Sequence, residues 1–293
     1  MPLSFRPLAL ADGPALTRAL RESSQKASDY TFVNLWAWQE DRRYEVAFAD
    51  GLIWLRQTDP QERLWAPLGS WQRDDWEELL TKHFPHGASF HRVPEKDALI
   101  LADRLGPQVS LDEERDQWEY LYLVEELVSL RGNRFHKKKN LLRQFLRSYD
   151  WRYAELEPKC RRALLDLQEE WCRWKNCDDS PGLAAEKEAI TRILRDWEHF
   201  PGLLGGALFV DDVMVAYTLA EEVGDTVVIH FEKGLGDYKG VYQAINQIFL
   251  EKSAGRFTYV NREQDMGEEG LKKAKMSYNP VDFLKKHRVL WRP

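Results

Sequence analysis

Cysteine is scarce in this chain and falls in no recognised pattern. The 293 residues include three cysteines, Cys160, Cys172 and Cys177. The number is odd, no Cys-x-x-Cys pair occurs, and no histidine stands at a zinc-ligand offset from them. This argues against a disulfide framework and a structural zinc; reduced thiols and a cytoplasmic setting are expected instead. Also missing is any apolar run near the roughly 18 residues that a spanning helix needs. The opening MPLSFRPLAL has no basic stretch followed by an apolar one, so no signal peptide is expected. The expectation is a soluble protein without a transmembrane segment, which would meet any lipid from the water side. No metal and no tightly bound cofactor are expected.

What is present describes a globular protein. Hydrophobic residues make up 43% and charged residues 31%. The length is large for one core and suits two domains of about 150 residues. Twelve tryptophans supply core volume or, in a second reading, stacking surfaces for sugars or bases.

Charge is unevenly spread. Residues 131–152, RGNRFHKKKNLLRQFLRSYDWR, hold eight Lys or Arg against Asp150, a local +7 in a chain of formal net charge −6. A basic island in an acidic protein is a candidate anion site. Phe135, Leu142, Phe145 or Leu146, and Tyr149 recur at helical spacing and predict a buried stripe. Lys139, Arg143 and Arg147 line up at i, i+4, i+8 on another face. Like charges so spaced cost roughly 0.2–0.5 kcal/mol per pair. A bound polyanion would offset that cost, and so would carboxylates from elsewhere in the fold.

Both halves read as mixed α/β. In the first, Leu3 to Leu10 is a predicted strand and Asp12 a predicted helix cap, with the helix reaching Ser24. The aromatic Tyr30 to Gln39 has no clear assignment. Tyr44 to Ala49 and Leu52 to Gln57 flank Asp50-Gly51, a strong hairpin signal. Helices follow at 71–84 and 96–105, then a strand at 117–124. In the second, the predicted order after the basic helix is strand 151–156, helix 158–175, loop 176–182, helix 183–200, strands 204–210, 213–221 and 226–232, helix 241–254 and strand 256–260. A boundary near Gly132 divides the chain into domains 1–131 and 132–293, a plausible structural duplication.

Three segments could carry chemistry. In Lys233 to Gly240, KGLGDYKG, glycines 234, 236 and 240 lie between a strand and a helix, where backbone and helix N-terminus can cradle an anion. The spacing matches neither the Walker A loop nor the dinucleotide fingerprint, so a purely structural turn is the other reading. In the strand before it, TVVIHFE, alternation puts His230 and Glu232 on one face, a candidate general-base pair. The bland alternative is a core histidine and a surface acid. The third is Asn261 to Pro280, NREQDMGEEGLKKAKMSYNP, where polar residues crowd a strand end. A helix beginning at Gly267 would bury Leu271, Ala274 and Tyr278.

Taken together, RGNRFHKKKNLLRQF, HFEKGLGDYKG and NREQDMGEEGLKKAKMSYNPVDFLKKHRV resemble the soluble catalytic domain of lysylphosphatidylglycerol synthases and its stand-alone bacterial relatives. YTFVNLWAW resembles those relatives too, and brings in Asn34 and Trp36 as substrate-binding candidates. The resemblance implies an α/β fold of mixed sheets, two tandem domains of the GCN5-related N-acetyltransferase type. It implies acyl or aminoacyl transfer, from aminoacyl-tRNA or acyl-CoA as co-substrate, to a hydroxyl or amine. Lys137, Lys138, Lys139, Arg143 and Arg147 would then contact donor phosphates. Glu232, Asn261, Glu263 and Asp265 would border the transfer site, with Glu232 or Asp265 as base. Lys273 and Lys275 would hold an anionic part of donor or acceptor. KGLGDYKG lacks the Arg or Gln ahead of closely spaced glycines with which acetyltransferases hold the CoA pyrophosphate, and the +7 island favours tRNA as partner. A non-catalytic ligand-binding module on the same duplicated fold is the alternative. The basic stretch Lys285 to Arg288 adds an expectation of transient contact with an anionic membrane.

Overall fold

The computed structural model describes residues 3–293, which form two compact units. The first comprises residues up to Glu119 and the two returning segments 264–268 and 283–293. The second comprises 120–263 and 269–282. A single cut near Gly132 does not describe this path, because the chain returns twice to its first unit.

The elements of the first half are β1 (Arg6–Pro7), α1 (Gly13–Glu22), α2 (Phe32–Ala37), α3 (Gln39–Arg42), β2 (Tyr44–Ala49), β3 (Leu52–Gln57), β4 (Arg63–Trp65), α4 (Trp76–His83), β5 (Ala88–Pro94), α5 (Glu95–Leu105) and β6 (Val109–Glu113). Then follow β7 (Glu119–Leu123), α6 (Val124–Ser129), α7 (His136–Ser148), β8 (Trp151–Glu155), α8 (Arg161–Lys175), α9 (Pro181–Arg195), β9 (Leu203–Val210), β10 (Val213–Val223), β11 (Thr226–Gly234), α10 (Val241–Ser253), β12 (Tyr259–Asn261), α11 (Glu269–Met276), β13 (Asp282–Leu284) and β14 (Lys286–Trp291).

The first sheet runs β1-β2-β3-β4-β5-β14-β6. Its predicted hairpin is present, with Ala49 opposite Leu52. Asp12 does not cap α1 through its side chain; its carboxylate accepts from the Ala9 N–H at 2.9 Å and pairs with Arg6. The aromatic segment becomes α2, capped by Thr31, whose hydroxyl accepts from the Asn34 N–H. The expected strand 3–10 shrinks to β1.

The second sheet runs β13-β7-β12-β11-β10-β9-β8, with β11 and β12 parallel. Its helices follow the predicted pattern closely, because their apolar residues recur at helical spacing. In α7, Phe135 just before it, Leu142 and Phe145 are buried, whereas Leu146 is exposed. In α11 the predicted stripe fails: Tyr278 is buried just past its end, but Leu271 is 42% exposed and Ala274 is exposed as well. Among the described residues, no helix is long and apolar enough to cross a membrane.

The thiol expectation is corrected. Cys172 and Cys177 form a disulfide, and only Cys160 is free. The pairing follows from the end of α8. Asn176 adopts the left-handed conformation that ends helices, and the chain turns back until the two cysteine Cα atoms are 5.0 Å apart.

Candidate active site

The parallel ladder between β11 and β12 fixes where the candidate site lies. Its last pair is Val228 with Asn261, yet β11 runs on to Gly234. Carboxyl ends of parallel strands are the usual place for ligand sites in α/β folds. Here the space past the last pair holds charged groups.

Glu232 lies on that stretch of β11. One carboxylate oxygen accepts from Arg262 at 2.9 Å and the other from the Asn246 amide of α10 at 3.1 Å. Burial works against the charge of Arg262, but Glu232 together with Tyr278 and Tyr122 outweighs it and raises the guanidinium pKa. The Tyr278 ring lies under Arg262 at 4.9 Å and under the Lys138 ammonium at 4.0 Å. Lys138 is half-buried. Its burial, and then the nearby Arg262, lower its pKa to about 8.

His230 is paired differently from the expectation. The register of β10 against β11 shifts between Leu219 and Ala220, so that His230 has no directly opposed residue. Such a bulge re-aims a side chain and interrupts simple alternation. Its Nδ1 lies 2.8 Å from Glu263 and its Nε2 3.2 Å from Glu221. Burial favours the neutral ring, but the two carboxylates outweigh it and lift the pKa to about 9. At neutral pH the ring is an imidazolium with no lone pair to act as a base, and its partner is Glu263 rather than Glu232.

The segment after β12 is held in shape by its own polar groups. The Asn261 side chain accepts from the Glu263 N–H at 2.8 Å, with Glu263 at φ +57°. Lys275 donates to the carbonyls of Arg262 at 2.5 Å and Glu263 at 3.1 Å, so it braces this turn. Lys273 is exposed on α11. Asp265 belongs to the first unit, where it pairs with Arg115 at 3.3 Å and accepts from the Gly267 N–H. Asn34 and Trp36 also belong to the first unit, on α2, with the Trp36 ring 6.2 Å from Phe32.

The basic helix divides into two faces. Lys139, Arg143 and Arg147 share one side, and Lys137 is exposed beside them. Among the described residues no carboxylate pairs with any of the four, whereas Arg134 pairs with Glu126 and Arg152 with Asp212. Lys138 instead shares the inward side with Leu142 and Phe145.

The glycine turn is filled by the chain itself. A Cβ on Gly240 would lie 2.1 Å from the Leu141 carbonyl of α7, and one on Gly236 would lie 2.7 Å from the Trp174 ring. One on Gly234 would meet Val241 at 2.8 Å, and the Lys239 N–H is taken by the Tyr149 hydroxyl at 3.0 Å. These glycines serve close packing. Lys233, at the start of the turn, is buried against the Trp171 ring at 3.7 Å and paired with Glu186 at 2.5 Å.

In the basic stretch Lys285 to Arg288 the cations are paired within the fold. Lys286 is fully buried and pairs with Asp29 and Glu119, Lys285 pairs with Glu95, and Arg288 with Asp112.

Sequence reasoning missed Arg262, Asn246 and Tyr278. Arg262 stands beside Asn261 in the same polar cluster, and that position was the available signal. Tyr278 was assigned to an apolar stripe, and nothing local marks Asn246. A cavity of about 420 Å³ lies at the other end of β12, lined by Leu123, Glu125, Glu251 and Thr258 among others, and contains none of the site residues.

Each unit is built on a mixed sheet with a parallel strand pair, and in the second unit a charged site lies past the end of that pair. The chain belongs to the family described as phosphatidylglycerol lysyltransferase, C-terminal, whose model matches residues 20–289. Among solved structures it resembles a conserved protein of unknown function from Bacteroides thetaiotaomicron at 29% identity, with 99% of this chain and 100% of that one covered and a TM-score of 0.86. The C-terminal domain of a putative lysylphosphatidylglycerol synthetase from Agrobacterium fabrum shares the fold at 12% identity, covering 96% and 92%, with a TM-score of 0.66. FemX shares it at 8% identity, covering 98% and 96%, with a TM-score of 0.60. An uncharacterised protein from Mycoplasmoides gallisepticum is 23% identical over 170 residues, 58% of this chain. The chain's match spans about half the length of that curated relative (55%).

Proposed function

We propose that this protein transfers an aminoacyl group from aminoacyl-tRNA to a hydroxyl or amine acceptor. The carrying observation is the row Lys139, Arg143 and Arg147, with Lys137 on the other flank, none of them with a carboxylate partner among the described residues, on the helix whose inward residue Lys138 reaches the Glu232–Arg262 site. A polyanionic donor suits such a row, since each phosphate it neutralises releases counterions. An acyl-CoA donor is less well supported, because the turn that would cradle its pyrophosphate is packed against α7 and Trp174. In the reaction the acceptor attacks the ester carbonyl, Glu232 takes the acceptor's proton, and Arg262 holds that carboxylate in place.

A binding module on the same fold is the second reading. It is favoured by Glu232 being already engaged by Arg262 and Asn246. Incubation with tRNA charged with labelled amino acids, and separately with labelled acyl-CoA, tests both readings against pools of lipid, peptide and amine acceptors. Label should leave the tRNA for one pool, and Glu232→Gln should reduce that transfer by about 100-fold or more. Retention of all label on the tRNA, with tight tRNA binding, would favour the module.

A further inference from the structure

We propose that Lys138 is the general acid of the transfer step, protonating the ribose oxygen that leaves when the aminoacyl ester is broken. This rests on the aminoacyl-transfer reading. Lys138 is separable from the ridge on its own helix. An α-helix turns about 100° per residue, so Lys138 falls with Leu142 and Phe145, while Lys139, Arg143 and Arg147 turn progressively away from it, from about 100° to about 180°. The Lys138 ammonium sits 4.0 Å over the Tyr278 ring. Among the described residues it has no carboxylate partner.

The groups around it are known. Arg262, at the end of β12, shares the Tyr278 ring and repels the ammonium. Glu232 of β11 is engaged by Arg262 and Asn246, and Gln243 of α10 donates to the Tyr278 hydroxyl at 3.4 Å. From β7, the Tyr122 hydroxyl donates to the Lys275 carbonyl. On α7 itself, Lys137 and Lys139 project to either side. A half-buried ammonium held near a second cation gives up its proton more readily than one in water. Its pKa of about 8 suits proton donation near neutral pH.

The step balances. The acceptor oxygen or nitrogen bonds to the ester carbonyl carbon, and the bond from that carbon to the ribose oxygen breaks. The ribose oxygen takes a proton from Lys138. The acceptor's proton passes to Glu232 and returns through water to Lys138 before the next turnover. Nothing is oxidised or reduced.

The test compares wild type with Lys138→Gln and Lys138→Arg, using charged tRNA and, separately, a short aminoacyl ester of adenosine. Single-turnover rates are measured from pH 6 to 10, and tRNA affinity is measured alongside. Both variants should slow cleavage of the ester bond by about 100-fold, and the wild-type fall in rate above pH 8 should vanish. tRNA affinity should stay within about 2-fold, unlike in ridge variants. Arginine keeps the charge but does not release a proton, so rescue by Lys138→Arg would overturn the proposal. So would an unchanged pH profile in Lys138→Gln. Lys138-dependent cleavage of the adenosine ester without transfer from any tRNA would sink the tRNA reading and leave the acid role standing. Failure to cleave either ester would overturn both.

Discussion

At the scale of single residues, His230 is the most informative side chain. It is buried between Glu221 and Glu263 with its pKa lifted to about 9, against an ordinary value near 6.5. The folded state therefore holds this proton more tightly than the unfolded chain does. Its stabilisation is fully present below about pH 6.5 and is lost as the pH rises through 9. The shift corresponds to on the order of 3 kcal/mol at most. Chemical denaturation of the wild type should show stability falling between pH 6.5 and 9. His230→Gln should be less stable at pH 6 and show a flatter dependence. Parallel curves for the two proteins would refute this account. Some of this was available in the sequence and some was not. TVVIHFE marks the strand and places a histidine near a glutamate. The bulge that turns His230 towards Glu263 depends on the register of β10, a strand pairing that no local pattern encodes. Lys138 was legible by helical spacing alone, since it stands four and seven residues before Leu142 and Phe145. The charge of its neighbours concealed it.

At the scale of elements, α7 joins two functions that charge counting merges. Its inward face packs on α10, and its outer face carries the exposed row Arg143 and Arg147. Replacing Lys137, Arg143 and Arg147 by alanine should lower tRNA affinity and reduce the slope of log K against log salt by roughly 2 to 3. Affinity and slope equal to wild type would remove the helix from donor binding. Helix α8 makes a second prediction. Its end is joined to the following turn by the Cys172–Cys177 bridge. A loop that short contributes roughly 2 kcal/mol by the chain-entropy account. Cys177→Ser, or wild type in reductant, should melt a few degrees lower, and identical melting with and without reductant would contradict this. The cysteine spacing could not announce the bridge, because it depends on Asn176 reversing the chain.

At the scale of the whole molecule, the helices and hairpins of each half were readable, but the path between units was not. Periodicity reports which face is buried and says nothing of which distant strand will lie alongside. The strand β14 sits between β5 and β6 in the first sheet, with His287 opposite both Val93 and Glu113. It also carries Lys286 into a buried cluster with Asp29, Glu119 and Arg92. Burial opposes the charges of Asp29 and Lys286, but each holds the other ionised, and Arg92 adds to the hold on Asp29. Removing one partner of a buried pair typically costs 3–5 kcal/mol. Lys286→Met should therefore destabilise the first unit by about that much, read as an earlier loss of its protease resistance. Unaltered resistance would show that the cluster contributes little.

The position of β14 also bears on the order of events in synthesis. Domains commonly fold from the N-terminus as they leave the ribosome. Here the sheet of the first unit lacks an inner strand until residues 286–291 have been made. Until then β5 and β6 have open edges, and their partner is distant in sequence, a pairing that is slow to form. The second unit, assembled almost entirely from residues 120–263, can close first. The first unit is thus completed after the second, and a released chain truncated before residue 286 should have a protease-sensitive first unit beside a resistant second one.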